Sequence, residues 1–135
     1  MNPKIWGPAG WLFLHSIAFG YPDNPTKQDK KAALDFFYSL QYLLPCKTCS
    51  ELYKRDLKSL SKEQSLETAV ESKKNLIKWV NLIHNKVNQN LNKKQYTDEE
   101  YHNYYTKLYN ENKSSKYKVG ILILIFIVVI AYIFK

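Results

Sequence analysis

Cysteine is almost absent from this sequence: there are two in 135 residues, both within Leu-Leu-Pro-Cys-Lys-Thr-Cys-Ser at positions 43 to 50. That excludes a fold stapled by disulfides, because a pair this close closes almost no loop and stabilisation grows with loop length. Chemistry, a metal or coincidence remain. Arginine is rarer still, since all but one of the 20 basic residues are lysine. The lysines are scattered among asparagine, tyrosine and isoleucine, as in an A/T-rich coding sequence. Although the formal charge is +8, no basic run is interleaved with aromatics, so nucleic acid is not an expected partner. Sustained period-two alternation is missing and no segment repeats, which argues against sheets and solenoids. The N-terminus, MNPKIWGPAG, has no basic region leading into an apolar run and a cleavage site, so no secretory signal is expected.

Charge is missing altogether from residues 119 to 134, VGILILIFIVVIAYIF. As a helix this run spans about 24 Å, a little short of a hydrocarbon core of about 30 Å. Lys118 and Lys135 bracket it and can snorkel, so the expectation is a C-terminal transmembrane helix rather than a buried core helix. Lys113, Lys116 and Lys118 precede it, placed to meet anionic headgroups. The expected organisation is a helical domain over residues 1–109, a polar basic linker over 110–118 and a membrane anchor over 119–134. The helical domain is expected to face the cytosol.

What is present is helical periodicity. Gly7-Pro8 fits a helix start, with proline at the first helical position, and the apolar segment that follows stops at Gly20 and Pro22. Thr26 with Asp29 predicts the cap of a second helix, in which Ala33, Phe36, Phe37, Leu40 and Leu44 recur at helical spacing. Pro45 ends it, and a third helix is predicted from about Cys46 to Leu57. A longer one is predicted from Leu66 to Asn92, with Leu76, Val80, Ile83, Val87 and Leu91 as its buried stripe. Thr97 with Glu100 predicts a cap for a short tyrosine-rich helix ending near Tyr109. The fold class is all-α: a four-helix bundle with a short fifth helix.

Three constellations carry chemistry. Cys46 and Cys49 stand at a predicted helix start, where the thiolate is favoured, and their spacing allows a small exchangeable disulfide. A thioredoxin-like setting needs a preceding strand, which is lacking. Zinc needs about four ligands; His15 and His84 are available but lack the close pairing of a finger, and no metal is expected. In the long helix, His84 and Asn88 lie one turn apart beside the buried stripe, as do Asn81 and Asn85. They offer hydrogen bonds to a flat partner such as a purine, or to neighbouring backbone. In the first helix, Trp11, His15 and Ala18 share a face and line an aromatic slot or an ordinary core.

Taken in order, WGPAGWLFLHSIAFGYP, PCKTC and HNKVNQNLNK resemble the Erv/ALR family of FAD-linked sulfhydryl oxidases over roughly residues 6 to 105. The resemblance implies a four-helix bundle with a short fifth helix, holding FAD beside the Cys-x-x-Cys disulfide. It implies that Cys46 is the outer sulfur attacked by a substrate thiolate and Cys49 the inner one that faces the flavin. Gly7, Pro8, Trp11, His15 and Tyr21 match flavin-contacting positions of the first motif. His84, Asn85, Val87, Asn88 and Lys93 match the second, where adenine and phosphates are held, and Tyr105 (or Tyr104) matches an aromatic from the last helix. Asn92 stands where the family has glycine, and asparagine tolerates the left-handed turn. The extra cysteines of many cellular members are missing, so electrons are expected to enter at Cys46 from a partner's dithiol and leave to O2 as hydrogen peroxide. Compactness and a single redox pair resemble the versions of large cytoplasmic DNA viruses, which oxidise virion proteins where thiols otherwise stay reduced. The partner implied is a small viral dithiol protein, and family members pair as homodimers through their first helices.

Overall fold

The computed structural model describes residues 1–110 and, beyond them, only Ile125, Ile127 and Ile130. The described residues are helical apart from their connections. Helix α1 covers Pro3–Gly20, α2 covers Lys27–Leu43 and α3 covers Lys47–Lys58. After a 3-10 turn at Lys62–Gln64 come the single turn α4, Leu66–Ala69, and α5, Lys73–Asn90. Residues 98–110 are helical again. The chain divides into two compact units, Met1–Asp98 and Glu99–Lys135.

In the first unit α1 packs on α5, α2 on α3, and α3 and α4 also reach α5. The core that joins them is built from Ala18, Phe37, Leu66, Leu76, Val80 and Ile83, each at most 2% exposed. Phe37 meets Trp79 edge to face, with centroids 5.2 Å apart. Two buried tyrosines tie the corners: Tyr53 donates to the Phe37 carbonyl at 2.9 Å and Tyr21 to the Val70 carbonyl at 3.0 Å. Val70 caps α4 at its C-terminal end, where carbonyls lack helical partners, so the Tyr21 bond satisfies a group that helix geometry leaves open.

The capping box at Thr26 and Asp29 forms as expected, with both reciprocal bonds made. Two helix boundaries differ from expectation. Helix α1 starts at Pro3, not Gly7-Pro8, because Asn2 caps the Lys4 N–H at 3.0 Å and Pro3 takes the first helical position. Pro8 sits inside the helix on its exposed side, where water can reach the carbonyl that proline leaves without its N–H. The long helix expected from Leu66 to Asn92 is broken at Val70–Ser72. Ser72 is extended (φ −157°, ψ 156°) and its hydroxyl accepts from the Asn75 N–H, capping a new helix. Of the expected stripe, Leu76, Val80 and Ile83 are buried, Val87 is half-buried, and Leu91, past the last turn, is exposed.

In the second unit Tyr101 and Tyr105 are buried, and Tyr104 meets Tyr105 edge-on with centroids 5.0 Å apart. The linker and anchor expected at 110–118 and 119–134 lie outside the described residues, apart from residue 110 and the three isoleucines. Those isoleucines are helical and exposed. Among the described residues no helix is long and apolar enough to cross a membrane.

Candidate functional site

The α1–α5 contact brings Trp11, His15 and His84 together. The indole of Trp11 and the imidazole of His84 stack face to face, with centroids 3.8 Å apart and planes 5° from parallel. His15, fully buried, lies at 50° to His84, and its Nε2 is 3.0 Å from His84 Nδ1. One of those nitrogens must donate and the other accept, so the pair needs at least one neutral ring. Burial, then the neighbouring His84, pushes the His15 pKa down to about 3. Burial, then the charge of Lys93, pushes His84 down to about 4. Both rings are neutral at physiological pH, and the stack forms a flat, uncharged shelf with hydrogen-bonding edges. Gly7, one turn before Trp11, has no atom within 4 Å of the place a Cβ would take, so space lies open over its backbone.

Lys93 is positioned by the end of α5. Asn92 adopts a left-handed conformation at φ 52°. The Lys93 N–H donates to the Asn88 carbonyl at 2.8 Å and the Asn92 N–H to that of Gln89 at 3.1 Å. This pairing is a Schellman turn, so the turn expected at Asn92 survives without glycine. Asn85, expected at the cofactor, is engaged elsewhere: its amide donates to the Tyr96 carbonyl at 2.6 Å and accepts from the Tyr96 N–H at 2.9 Å. The buried Asn81 adds a bond to Asp98 at 2.9 Å. Together they fasten the segment after α5 back onto its parent helix. Asn88 is buried, Val87 half-buried and Pro8 exposed. The Tyr21 hydroxyl faces Val70. Tyr105 belongs to the second unit, where burial and then Tyr104 raise its pKa.

Cys46 and Cys49 form a disulfide with Cα atoms 5.1 Å apart. Cys46 is the N-cap of α3, one position outside the helix expected to contain it, and its Sγ accepts from the Cys49 N–H at 3.2 Å. Both cysteines are half-buried. A helix N-terminus favours negative charge, so the reduced pair has a stabilised thiolate. Helix α3 carries the pair and packs on α5, the helix of His84.

The family model for Erv1/Alr matches residues 8–108. The chain belongs to the Erv1/Alr family. A probable FAD-linked sulfhydryl oxidase of Acanthamoeba polyphaga mimivirus is 39% identical over 117 residues, covering 87% of this chain and 80% of that protein. A putative FAD-linked sulfhydryl oxidase of invertebrate iridescent virus 3 is 34% identical over 70% of this chain and 62% of its own length. An Arabidopsis thaliana FAD-linked sulfhydryl oxidase is 32% identical over 80% of this chain, but only 53% of that protein is spanned. Among solved structures, the FAD-binding domain of Erv1 from Saccharomyces cerevisiae superposes with a TM-score of 0.63 at 30% identity, covering 79% of this chain and 92% of that one. The yeast Erv1 core gives 0.66 at 28% identity, over 79% and 82%.

Sequence reasoning on this Erv1/Alr chain missed one polar cluster. Arg55 and Asn90 both donate to the buried Asp56, at 2.9 and 3.1 Å, and Arg55 also reaches Asn90 at 2.9 Å. The cluster clasps the far end of α3 to α5. No local pattern marks it, because Asn90 comes from a helix distant in sequence from Arg55 and Asp56.

Proposed function

We propose that this chain is an FAD-linked sulfhydryl oxidase that makes disulfides in dithiol partner proteins. The observation that carries this reading is the Cys46–Cys49 disulfide at the N-terminal cap of α3, in an Erv1/Alr bundle that also holds the Trp11–His84 shelf. A partner thiolate attacks Sγ of Cys46, the Cys46–Cys49 bond breaks, and Cys49 leaves as a thiolate. The partner's second thiolate then displaces Cys46 from the mixed disulfide. The partner departs oxidised, its two electrons held in the reduced Cys46/Cys49 pair. The helix N-terminus stabilises the thiolate formed in each displacement.

The residues present fit FAD. A flat neutral stack suits a purine ring, open space over Gly7 admits a ligand close to backbone, and Lys93 supplies positive charge beside the shelf for phosphates. Gly7, Pro8, Trp11, His15, Tyr21, His84, Val87, Asn88 and Lys93 are the proposed contacts, with Cys49 as the inner sulfur. Asn85 contributes by fixing the segment that follows Lys93. When bound, FAD would supply the two-electron acceptor for the reduced cysteine pair, with O2 as the final acceptor and hydrogen peroxide as the product. Here the protein's part is to bind, orient and exclude water.

A homodimer through α1 accompanies this reading, supported by Ile5, Leu12 and Phe13, exposed apolar residues on that helix. A membrane anchor at 119–134, a catalytic domain facing the cytosol and oxidation of virion proteins complete it. The test is the purified protein's visible spectrum together with O2 consumption on dithiothreitol. Flavin bands and turnover support the oxidase; a colourless, inactive protein refutes it.

A further inference from the structure

Towards the C-terminal end of α3, away from the disulfide that caps its start, α2, α3 and the start of α4 enclose a surface depression of about 270 Å³. Its apolar lining includes Leu57, Leu60 and Leu66, and its cations are Lys54 and Lys58. We infer that this groove docks an acidic, apolar segment of the thiol-bearing partner, about four or five residues from the partner's reactive cysteine. This rests on the oxidase reading and adds to it the chemistry by which a protein substrate is chosen.

The register of α3 connects groove and sulfur. Cys46 and Leu57 are eleven positions apart, three turns, so they share a face of the helix. Lys47, Lys54 and Lys58 follow at i, i+7 and i+11 on the adjoining stripe and are exposed. From Cys46 to Lys54 and Lys58 is about 12 to 18 Å of helix rise, the reach of about four or five extended residues. A polypeptide whose cysteine meets Cys46 and which runs along α3 therefore lays its next residues over the groove.

Charge selects the occupant. Among the described residues none of these three lysines is in an ion pair. Lys54 instead lies over the ring of Tyr42, 5.9 Å from its centroid. Glu51 lies on the lysine stripe, and the Glu67 carboxylate beside the groove accepts the Tyr38 hydroxyl at 2.6 Å. Tyr42 and Leu43, 72% and 70% exposed, precede Cys46 by four and three residues. Unpaired cations around an apolar floor complement a segment carrying carboxylates beside leucine-like side chains.

The experiment uses the full chain with its flavin, purified in detergent, and two synthetic dithiol peptides. They differ only at the fourth position after the first cysteine, Asp in one and Lys in the other, with Leu following in both. Wild type is expected to show ~fivefold higher kcat/KM for the acidic peptide at low salt, shrinking towards parity at high salt. The double variant Lys54→Glu, Lys58→Glu is expected to reverse the order while dithiothreitol turnover stays unchanged. Equal kcat/KM for the two peptides, with dithiothreitol turnover intact, overturns the groove and leaves the oxidase standing. Absence of dithiothreitol turnover in wild type overturns both.

Discussion

Where α1 meets α5, the functional side chains are buried or half-buried, neutral and held against one another. Where α2 turns into α3, the Cys46 sulfur caps a helix, and the nearby chain exposes Tyr42, Leu43 and Lys47. The first corner suits a resident ligand, whose rings need fixed planes and dry edges. The second suits a visitor, since a disulfide that must be attacked in line by another protein's thiolate cannot lie under a core. One small bundle meets both demands because different helix pairs build the two corners, and the packing of α3 on α5 joins the pairs.

The sharpest way to separate the corners is Cys49→Ser. Turnover of dithiothreitol, read as O2 consumption, is expected to fall to background while the yellow cofactor remains. Wild-type-like turnover would remove the inner-sulfur role. Acid acts on the other corner. His15 and His84 are neutral when folded, with pKa values of about 3 and 4, but take up protons at the ordinary 6.5 when unfolded. Stability is therefore complete above about pH 6.5 and is lost as pH falls towards 4. The upper slope is about 1.4 kcal/mol per unit for each ring. With His84 only half-buried, the loss by pH 4.5 is roughly 3 kcal/mol. Urea titrations at stepped pH measure it, and a flat profile over this range breaks the account of the shelf.

His84→Ala removes the stack and one partner of His15. Cofactor affinity is expected to fall about tenfold, from stacking and a hydrogen bond worth about 1.5 kcal/mol together. The flavin-to-protein ratio after dilution reports it, and an unchanged ratio counts against the adenine assignment. Asn85→Ala gives the smallest effect, a stability loss of about 1 kcal/mol from two exposed bonds to Tyr96. If it lowers flavin affinity more than His84→Ala does, Asn85 is a ligand and not a fastener.

Local chemistry was the legible part. Thr26 and Asp29 declare their capping box because both partners lie within one turn, and Asn92 declares its turn because few residues tolerate positive φ. The fold class followed from spacing, while the combination of site residues came from the resemblance. The break at Ser72 was hidden because serine is compatible with a helix interior as well as with a cap. Pro8 drew the start of α1 too late, since Asn2-Pro3 offers the same signal five residues earlier. The Trp11–His84 stack and the Asn85–Tyr96 bonds were illegible for another reason: tertiary geometry decides which of several possible partners a ring or an amide takes.

All of the chain's sulfhydryl chemistry is locked in one bond, and no free cysteine is left over. A maleimide dye therefore finds nothing to label on the resting protein. Any colour it leaves after exposure to a reductant or a partner counts molecules caught mid-cycle, which makes the enzyme its own occupancy gauge.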